Sequence, residues 1–418
     1  MTAMGELSAA TCQRPCDIAA EVISDRAAGE AYVASVCFKH GPPERIGVEL
    51  EYTVHHRHDP VRPVAPSRLA SAIGPHAPRT LRDDSPAKPL PSGSVLTVEP
   101  GGQLEISTPP LDSLSVVDNV AERDLDYVTA LLARYGLVLG ASGSDPHRPP
   151  VRVLGTPRYA AMERRFARRG GDGITMMCAT AAIQVSLDAG EAHQFARRWA
   201  ALHAMGPPLL AMFANSRRLL GRDTGYASAR WLAVMGTEPA RTAAQPLSPD
   251  PAADWARRVM DTPLMVLRDD TGSWDAPPRL TFAQWIARGD AGGRRPTYAD
   301  LDYHLTTLFT PVRPRGHLEV RYLDAQPRGQ WLAPVAMLAA LLHDDATTDA
   351  VLDRCAPALG LWQRAARAGL ADPELARIAR SLVDVAMTRI DRLGLAPPRT
   401  AAVAESWHRK AHRREEVS

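Results

Sequence analysis

The sequence predicts an α+β fold, in which antiparallel strands alternate with helices. Several short segments place carboxylates on one face and apolar residues on the other, and the stretches between them carry apolar residues at helical spacing. The position of the acids adds a third observation. The patterns Glu49-x-Glu51, Glu99-x5-Glu105 and Glu319-x-Arg321 set five glutamates on expected strands, where Glu is disfavoured unless something compensates it.

Taken in chain order, residues 6–40 read as a helical entry that packs on the domain after it, with Ile18, Val22, Ala27, Tyr32, Val36 and Phe38 apolar. In 45–54, Ile46, Val48, Leu50 and Tyr52 alternate with Gly47, Glu49, Glu51 and Thr53, the period of a strand. His58 to Ser94 is mainly loop, with a short amphipathic piece at 69–73. Val95 to Ser107 reads as a hairpin around Pro100-Gly101-Gly102, which draws Glu99 and Glu105 together. Residues 112–135 form a helix capped by Asp112 or Ser113 and ended by Gly136.

Leu137 to Gly143 and Met176 to Asp188 read as short buried strands, the second with Gln184 and Ser186 on its polar face. Helices follow at 190–214, 329–344 and 374–394, and a last strand at 317–323 puts Glu319 and Arg321 on one face. The polar run 406–418 is expected to be a disordered tail. The resulting organisation is a helical segment over 1–40, one domain over 41–405, and that tail.

Composition narrows the function. Forty-nine Lys and Arg against 47 Asp and Glu give a net charge of +2, so no global field recruits nucleic acid or a membrane surface. No stretch approaches the roughly 20 apolar residues of a membrane span. Five scattered cysteines do not make a disulfide framework and fit a reducing cytoplasm. The expected partners are small molecules, and the chain is expected to be a monomer. His55, His56 and His58 enter a Pro-rich loop and are expected to be solvent-exposed, Cys178 to be an inert buried thiol, and Met176 and Met177 to be core or pocket wall.

A strand face rich in glutamate is also how a wet edge strand looks, but three such pairs and the Pro-Gly-Gly turn favour a cation. Magnesium takes hard oxygen ligands and shares them with substrate phosphates, so these acids suit a nucleotide–Mg2+ platform. Arg321 is placed to neutralise charge on a transferring phosphoryl group. The sequence contains no Gly-x4-Gly-Lys-Ser/Thr, no Gly-x-Ser-x-Gly and no His-Glu-x-x-His, so phosphate binding must run through metal and arginine.

Five stretches then fall into a recognisable order: Ile46-Gly-Val-Glu-Leu-Glu51, Glu99-Pro-Gly-Gly-Gln-Leu-Glu-Ile-Ser107, Met176-Met177 with Gln184-Val-Ser-Leu-Asp188, Ala214-Asn-Ser216, and His304 through Asp324. Together they resemble the glutamate–cysteine ligase family in its plant-like branch, closest to the actinobacterial ligases of ergothioneine biosynthesis. The resemblance implies a curved antiparallel sheet forming a funnel with helices outside, as in glutamine synthetase and guanido kinases. It implies ATP, Mg2+, L-glutamate and L-cysteine as ligands, and γ-glutamylcysteine formation through γ-glutamyl phosphate.

Position by position, the resemblance makes Glu49, Glu51, Glu99, Glu105 and Glu319 metal ligands, with Gln184 a further polar ligand. Arg321 becomes the phosphate-facing arginine and, with Glu319, the catalytic pair. Arg230 receives the α-carboxylate of glutamate, and Arg313 and Arg315 serve ATP phosphates or substrate. The segments 224–242 and 246–296 match no motif, and the choice of acceptor is expected to be written there. A related ligase using another amino acid, and a non-catalytic nucleotide or metabolite sensor of the same fold, are the alternatives.

Overall fold

The computed structural model describes residues 19–269 and 272–412. Its centre is a six-stranded antiparallel sheet: β1 (Ile46–Tyr52), β2 (Val95–Val98), β3 (Leu104–Ser107), β4 (Ala182–Leu187), β5 (Val312–Pro314) and β6 (Leu318–Asp324), in the order β2-β3-β1-β4-β6-β5. The period-2 alternation sets its two faces. Ile46, Val48, Leu50 and Tyr52 are buried on one side of β1, while Glu49 and Glu51 on the other stay partly open.

Register brings the polar residues side by side. Glu49 lies opposite Gln184, Glu51 opposite Glu105, and Glu319 opposite Arg313. Between Val320 and Leu323 the pairing of β6 with β4 shifts by one residue, a β-bulge beside Arg321. The helices Leu114–Ala133 and Gly206–Phe213 pack on the sheet, and Tyr322 reaches its hydroxyl to Leu202 O at 3.4 Å.

The turn that carries Glu99 is held from both sides. Gly102 sits at φ +89°, and a Cβ on Gly101 would lie 2.1 Å from the carbonyl oxygen of Cys178, so both positions need glycine. Gln103 stitches the turn to the start of β4 by donating to Thr180 O at 2.8 Å. The hairpin is therefore tied to the central strands through Gln103 as well as through the strand pairing.

Several expectations change. Of the entry segment, residues 19–25 run beside Pro296 and Thr297 and the helix Arg26–Cys37, capped by Asp25, packs on the helix Pro251–Asp261, with Arg26 paired to Asp261 at 2.8 Å. Cys12 and Cys16 lie outside the described residues. Met176 and Met177 belong to a helix, Asp172–Cys178, and the strand begins only at Ala182. The span 190–214 is two helices, Ala192–Ala204 and Gly206–Phe213, divided where Gly206-Pro207-Pro208 begins the second.

The polar run from 406 is not a loose tail as far as the structure describes it. The helix Pro397–Ala411 buries Val403, Trp407 and Ala411, and the Trp407 indole donates to Ala333 O at 2.8 Å. Residues 413–418 lie outside the described residues. His55 also departs from expectation: it is buried and paired with the Thr53 hydroxyl at 2.8 Å, while His58 is exposed. Cys37, Cys178 and Cys355 are buried free thiols, each pushed up to about 12 by burial. Among the described residues no helix is long and apolar enough to cross a membrane.

Trp407→Ala should lower the unfolding free energy by about 3–5 kcal/mol, the usual cost of emptying a large aromatic site. Denaturant midpoints measure this, and an unchanged midpoint would mean that the helix does not hold the core.

Candidate active site

The carboxylate face of the sheet opens into a cavity of about 310 Å3. Of the ten residues expected at the site, nine line it: Glu49, Glu51, Glu99, Glu105, Gln184, Arg230, Arg313, Arg315 and Arg321. The tenth, Glu319, lies behind the wall and is fully buried. Met176 and Met177 form part of the lining as well, in one apolar cluster with Met162 and Phe309.

The acids fall into two electrostatic groups. Glu319 accepts from Arg313 Nε at 2.6 Å and Nη2 at 3.2 Å, from Arg321 Nη1 at 3.0 Å and from Arg315 Nη1 at 3.4 Å. Burial alone would raise its pKa, but Arg313 and Arg321 overrule it and hold the carboxyl well below its ordinary range. Arg313, buried among cations, is itself lowered to about 10. Glu319 thus gathers three guanidiniums at one edge of the cavity.

The other acids repel one another. Burial and then the Glu319 charge push Glu49 up to about 7, and burial and the Glu51 charge do the same to Glu99. Burial and the neighbouring Glu99 and Glu49 charges hold Glu105 well above its usual range, against a 2.8 Å hydrogen bond from Thr97. Glu51 is engaged by the protein: Ala182 N–H and the Gln184 amide donate to it at 2.8 and 2.7 Å. The Gln184 amide oxygen in turn accepts from Arg321.

Glu49 and Glu99 receive no side-chain hydrogen bond or ion pair among the described residues. Two such carboxylates, raised by burial and by neighbouring acids, suit a hard divalent cation. Among the described residues no three His, Cys, Asp or Glu converge tightly enough to hold a metal unaided. A cation here would therefore complete its shell with substrate oxygens or water, as Mg2+ commonly does.

Arg230 reaches the cavity from the helix Ala229–Gly236, beside Arg321 of the Glu319 cluster. Its Nη2 donates to Arg321 O at 2.7 Å, and its buried Nη1 lies 3.5 Å from Asp324 without a hydrogen bond. Asp324 accepts from Asn215 N–H, Ser216 and Ser228 at 2.8, 2.7 and 2.9 Å. Ser216 also accepts from Arg230 N–H at 3.1 Å. The run Ala214-Asn-Ser216 therefore mounts Arg230 rather than touching ligand.

Two parts of the site escaped the sequence reading. Asp324 ends β6 without a partner visible in sequence, and Arg158, on the helix Pro157–Ala167, belongs to no motif. Among the described residues the segment 246–296 contributes none to the cavity wall, whereas 224–242 supplies Arg230, Trp231 and Val234. Any selection of acceptor by direct contact must come from the wall residues instead.

An antiparallel sheet with acids on one face, arginines at its rim and helices behind defines a fold shared with carboxylate–amine ligases. The crystal structure of the glutamate–cysteine ligase of Francisella tularensis in complex with AMP superposes with a TM-score of 0.52 at 13% identity, covering 90% of this chain and 83% of that one. Residues 45–411 match the family described as glutamate-cysteine ligase family 2, and the chain belongs to that family. It is 38% identical over 377 residues to glutamate–cysteine ligase EgtA of Mycobacterium tuberculosis H37Rv, covering 88% of this chain and 84% of that protein. The chloroplastic glutamate–cysteine ligase of Arabidopsis thaliana is 29% identical over 335 residues, 77% of this chain and 64% of that protein.

The raised carboxyls fix a sign for pH dependence. Between the ordinary value of 4.5 and about 7, the unfolded chain has lost protons that folded Glu49 and Glu99 keep, so their contribution to stability falls as pH rises. Glu319, held ionised in the fold, slopes the other way only near and below its unfolded value of 4.5, and buried His203 and His304, lowered by burial to about 3, slope the other way across the window. Comparison with Glu49→Gln cancels the histidines. With divalent cations chelated, the variant should gain on wild type in thermal midpoint as pH rises through this window; parallel curves would show that Glu49 titrates normally.

Proposed function

We propose that the enzyme uses ATP to join the γ-carboxylate of L-glutamate to the amine of L-cysteine, releasing ADP, phosphate and γ-glutamylcysteine. The observation that carries this reading is the meeting of four carboxylates and five arginines from distant parts of the chain in one cavity. Family membership supports the same chemistry. The product enters ergothioneine biosynthesis, the pathway to which the sequence resemblance points.

A second cavity of about 450 Å3 shares Glu49 and Arg315 with the first and is lined also by Lys39, Arg45 and His317. The nucleotide occupies this cationic space, with its triphosphate at the shared edge. The two amino acids occupy the first cavity. Glu49, Glu99 and Glu105 would hold Mg2+, which would supply charge screening for the phosphates and a more electrophilic γ-phosphorus. Glu51 and Gln184 order that face, and Arg321 meets charge on the transferring phosphoryl group.

The steps balance without further reactants. A γ-carboxylate oxygen of glutamate forms a bond to the γ-phosphorus as the bond to ADP breaks. The cysteine amine then attacks the acyl carbon, phosphate leaves with that oxygen, and the amine gives a proton to solvent. Arg230 takes the α-carboxylate of glutamate, because its Nη1 is buried and lacks a hydrogen-bond acceptor. Glu319 serves chiefly as the anchor that keeps Arg313 and Arg321 aimed, and any metal contact would use a lone pair left over from them.

Phosphate release should require ATP, Mg2+, glutamate and cysteine together, and mass spectrometry should find γ-glutamylcysteine. Release with another amine would keep the chemistry and change the acceptor, and turnover without ATP would contradict a ligase. Arg321→Ala should lower kcat on the order of 10²- to 10³-fold, the usual loss when a transition-state donor is removed. Arg230→Ala should instead raise the KM for glutamate with a smaller change in kcat, and an unchanged glutamate KM would remove Arg230 from that role.

A further inference from the structure

The cavity holds five arginines, and four of them have a carboxylate partner within the protein. Arg313, Arg315 and Arg321 share Glu319, and Arg230 faces Asp324. Arg158 is the exception: among the described residues it makes no ion pair, although it lines the same cavity. It is nonetheless fixed in place. Its Nη1 donates to the Thr306 hydroxyl at 2.8 Å, its Nη2 to Thr306 O at 3.1 Å, and its guanidinium lies over the Tyr303 ring at 5.1 Å.

A guanidinium carries five N–H donors, so these contacts leave part of the fork free for a planar anion. Preorganising a cation against a hydroxyl, a carbonyl and a ring leaves little side-chain entropy to lose when that anion binds. The neighbouring surface specifies what is attached to it. Met162 stands one helical turn beyond Arg158 on the same helix face, and Met176, Met177 and Phe309 continue the wall. Thioethers and a ring make a soft, polarisable surface that accepts a short thiol side chain and offers a hydroxyl no partner.

We infer that Arg158 binds the α-carboxylate of the acceptor amino acid, and that the methionine wall beside it receives the acceptor's thiol side chain. This rests on the ligase reading above and adds to it which wall selects the acceptor. Arg230 and Arg158 then hold the two amino acids by separate carboxylates, from the helices Ala229–Gly236 and Pro157–Ala167. The acid floor of the sheet supplies the remaining surface of the cavity between donor and acceptor.

The test compares L-cysteine with cysteamine, which keeps the amine and thiol and lacks the carboxylate. Wild type should prefer cysteine in kcat/KM on the order of 10- to 100-fold, the scale of one charge-assisted bidentate contact. In Arg158→Ala that preference should fall to near unity, with the KM for glutamate within about twofold of wild type. A merely structural role would depress both acceptors together and leave their ratio unchanged, and a raised glutamate KM would assign Arg158 to the donor; either result overturns the proposal. Should Arg158→Ala not fold, Thr306→Val removes one anchor of the guanidinium and should lower the cysteine preference about threefold; an unchanged ratio there overturns it equally. If wild type makes no γ-glutamyl product from either acceptor, the ligase reading itself has failed.

Discussion

Glu319 buries one negative charge among three guanidiniums, and the geometry of the site follows from that arrangement. An ionised carboxylate in so dry a place is tolerable only because Arg313 grips both of its oxygens and Arg315 and Arg321 complete the shell. The converse holds as well. Three cations crowded at one edge of a cavity would repel one another without the acid between them. Removing Glu319 therefore leaves buried charges uncompensated, and a Glu319→Gln variant would lose fold stability as well as any chemistry. The cluster also fixes β5 against β6 and places Arg321 at the bulge, where its backbone carbonyl receives Arg230.

From this anchor the cavity acquires a charge gradient. Its arginine edge is held in place by Glu319, and its carboxylate floor is held apart by mutual repulsion and burial, with Glu49 and Glu99 near 7. Such a pair of surfaces has little to gain from an apolar ligand. It gains a great deal from a triphosphate with a divalent cation, whose negative oxygens meet the arginines while the metal meets the glutamates. The amino-acid walls, with Arg230 on one helix and Arg158 on another, stand where a carboxyl group and an amine can be brought together over that floor. On the proposed reading, acceptor choice belongs to the Arg158 and methionine wall rather than to the phosphoryl centre.

Much of this was legible in the sequence because the relevant signals are local. The alternation at 46–52 and 318–324 states which face each strand buries, and the Pro-Gly-Gly turn states that Glu99 and Glu105 approach each other. The helix over Leu114–Ala133 was equally plain, and of its two possible caps, Asp112 and Ser113, the structure uses Ser113. What was missed depends on distant partners. Arg158 acquires its meaning from Thr306, 148 positions away, and Asp324 from Ser216, 108 positions away. The C-terminal helix was hidden by composition: its polar residues suggested a tail, although Val403, Trp407 and Ala411 recur every four residues. The Met176–Met177 helix was misread because a short apolar run has the same look in a buried strand.

On the proposed mechanism the arginine edge and the acid floor act together to transfer a phosphoryl group onto the γ-carboxylate. That transfer is tested most directly by following oxygen rather than rate. With glutamate labelled by 18O in both γ-carboxylate oxygens, and ATP, Mg2+ and cysteine present, one labelled oxygen should appear in the released inorganic phosphate and the other should remain in the amide. Unlabelled phosphate, or label recovered in AMP, would contradict phosphorylation of the carboxylate at this site.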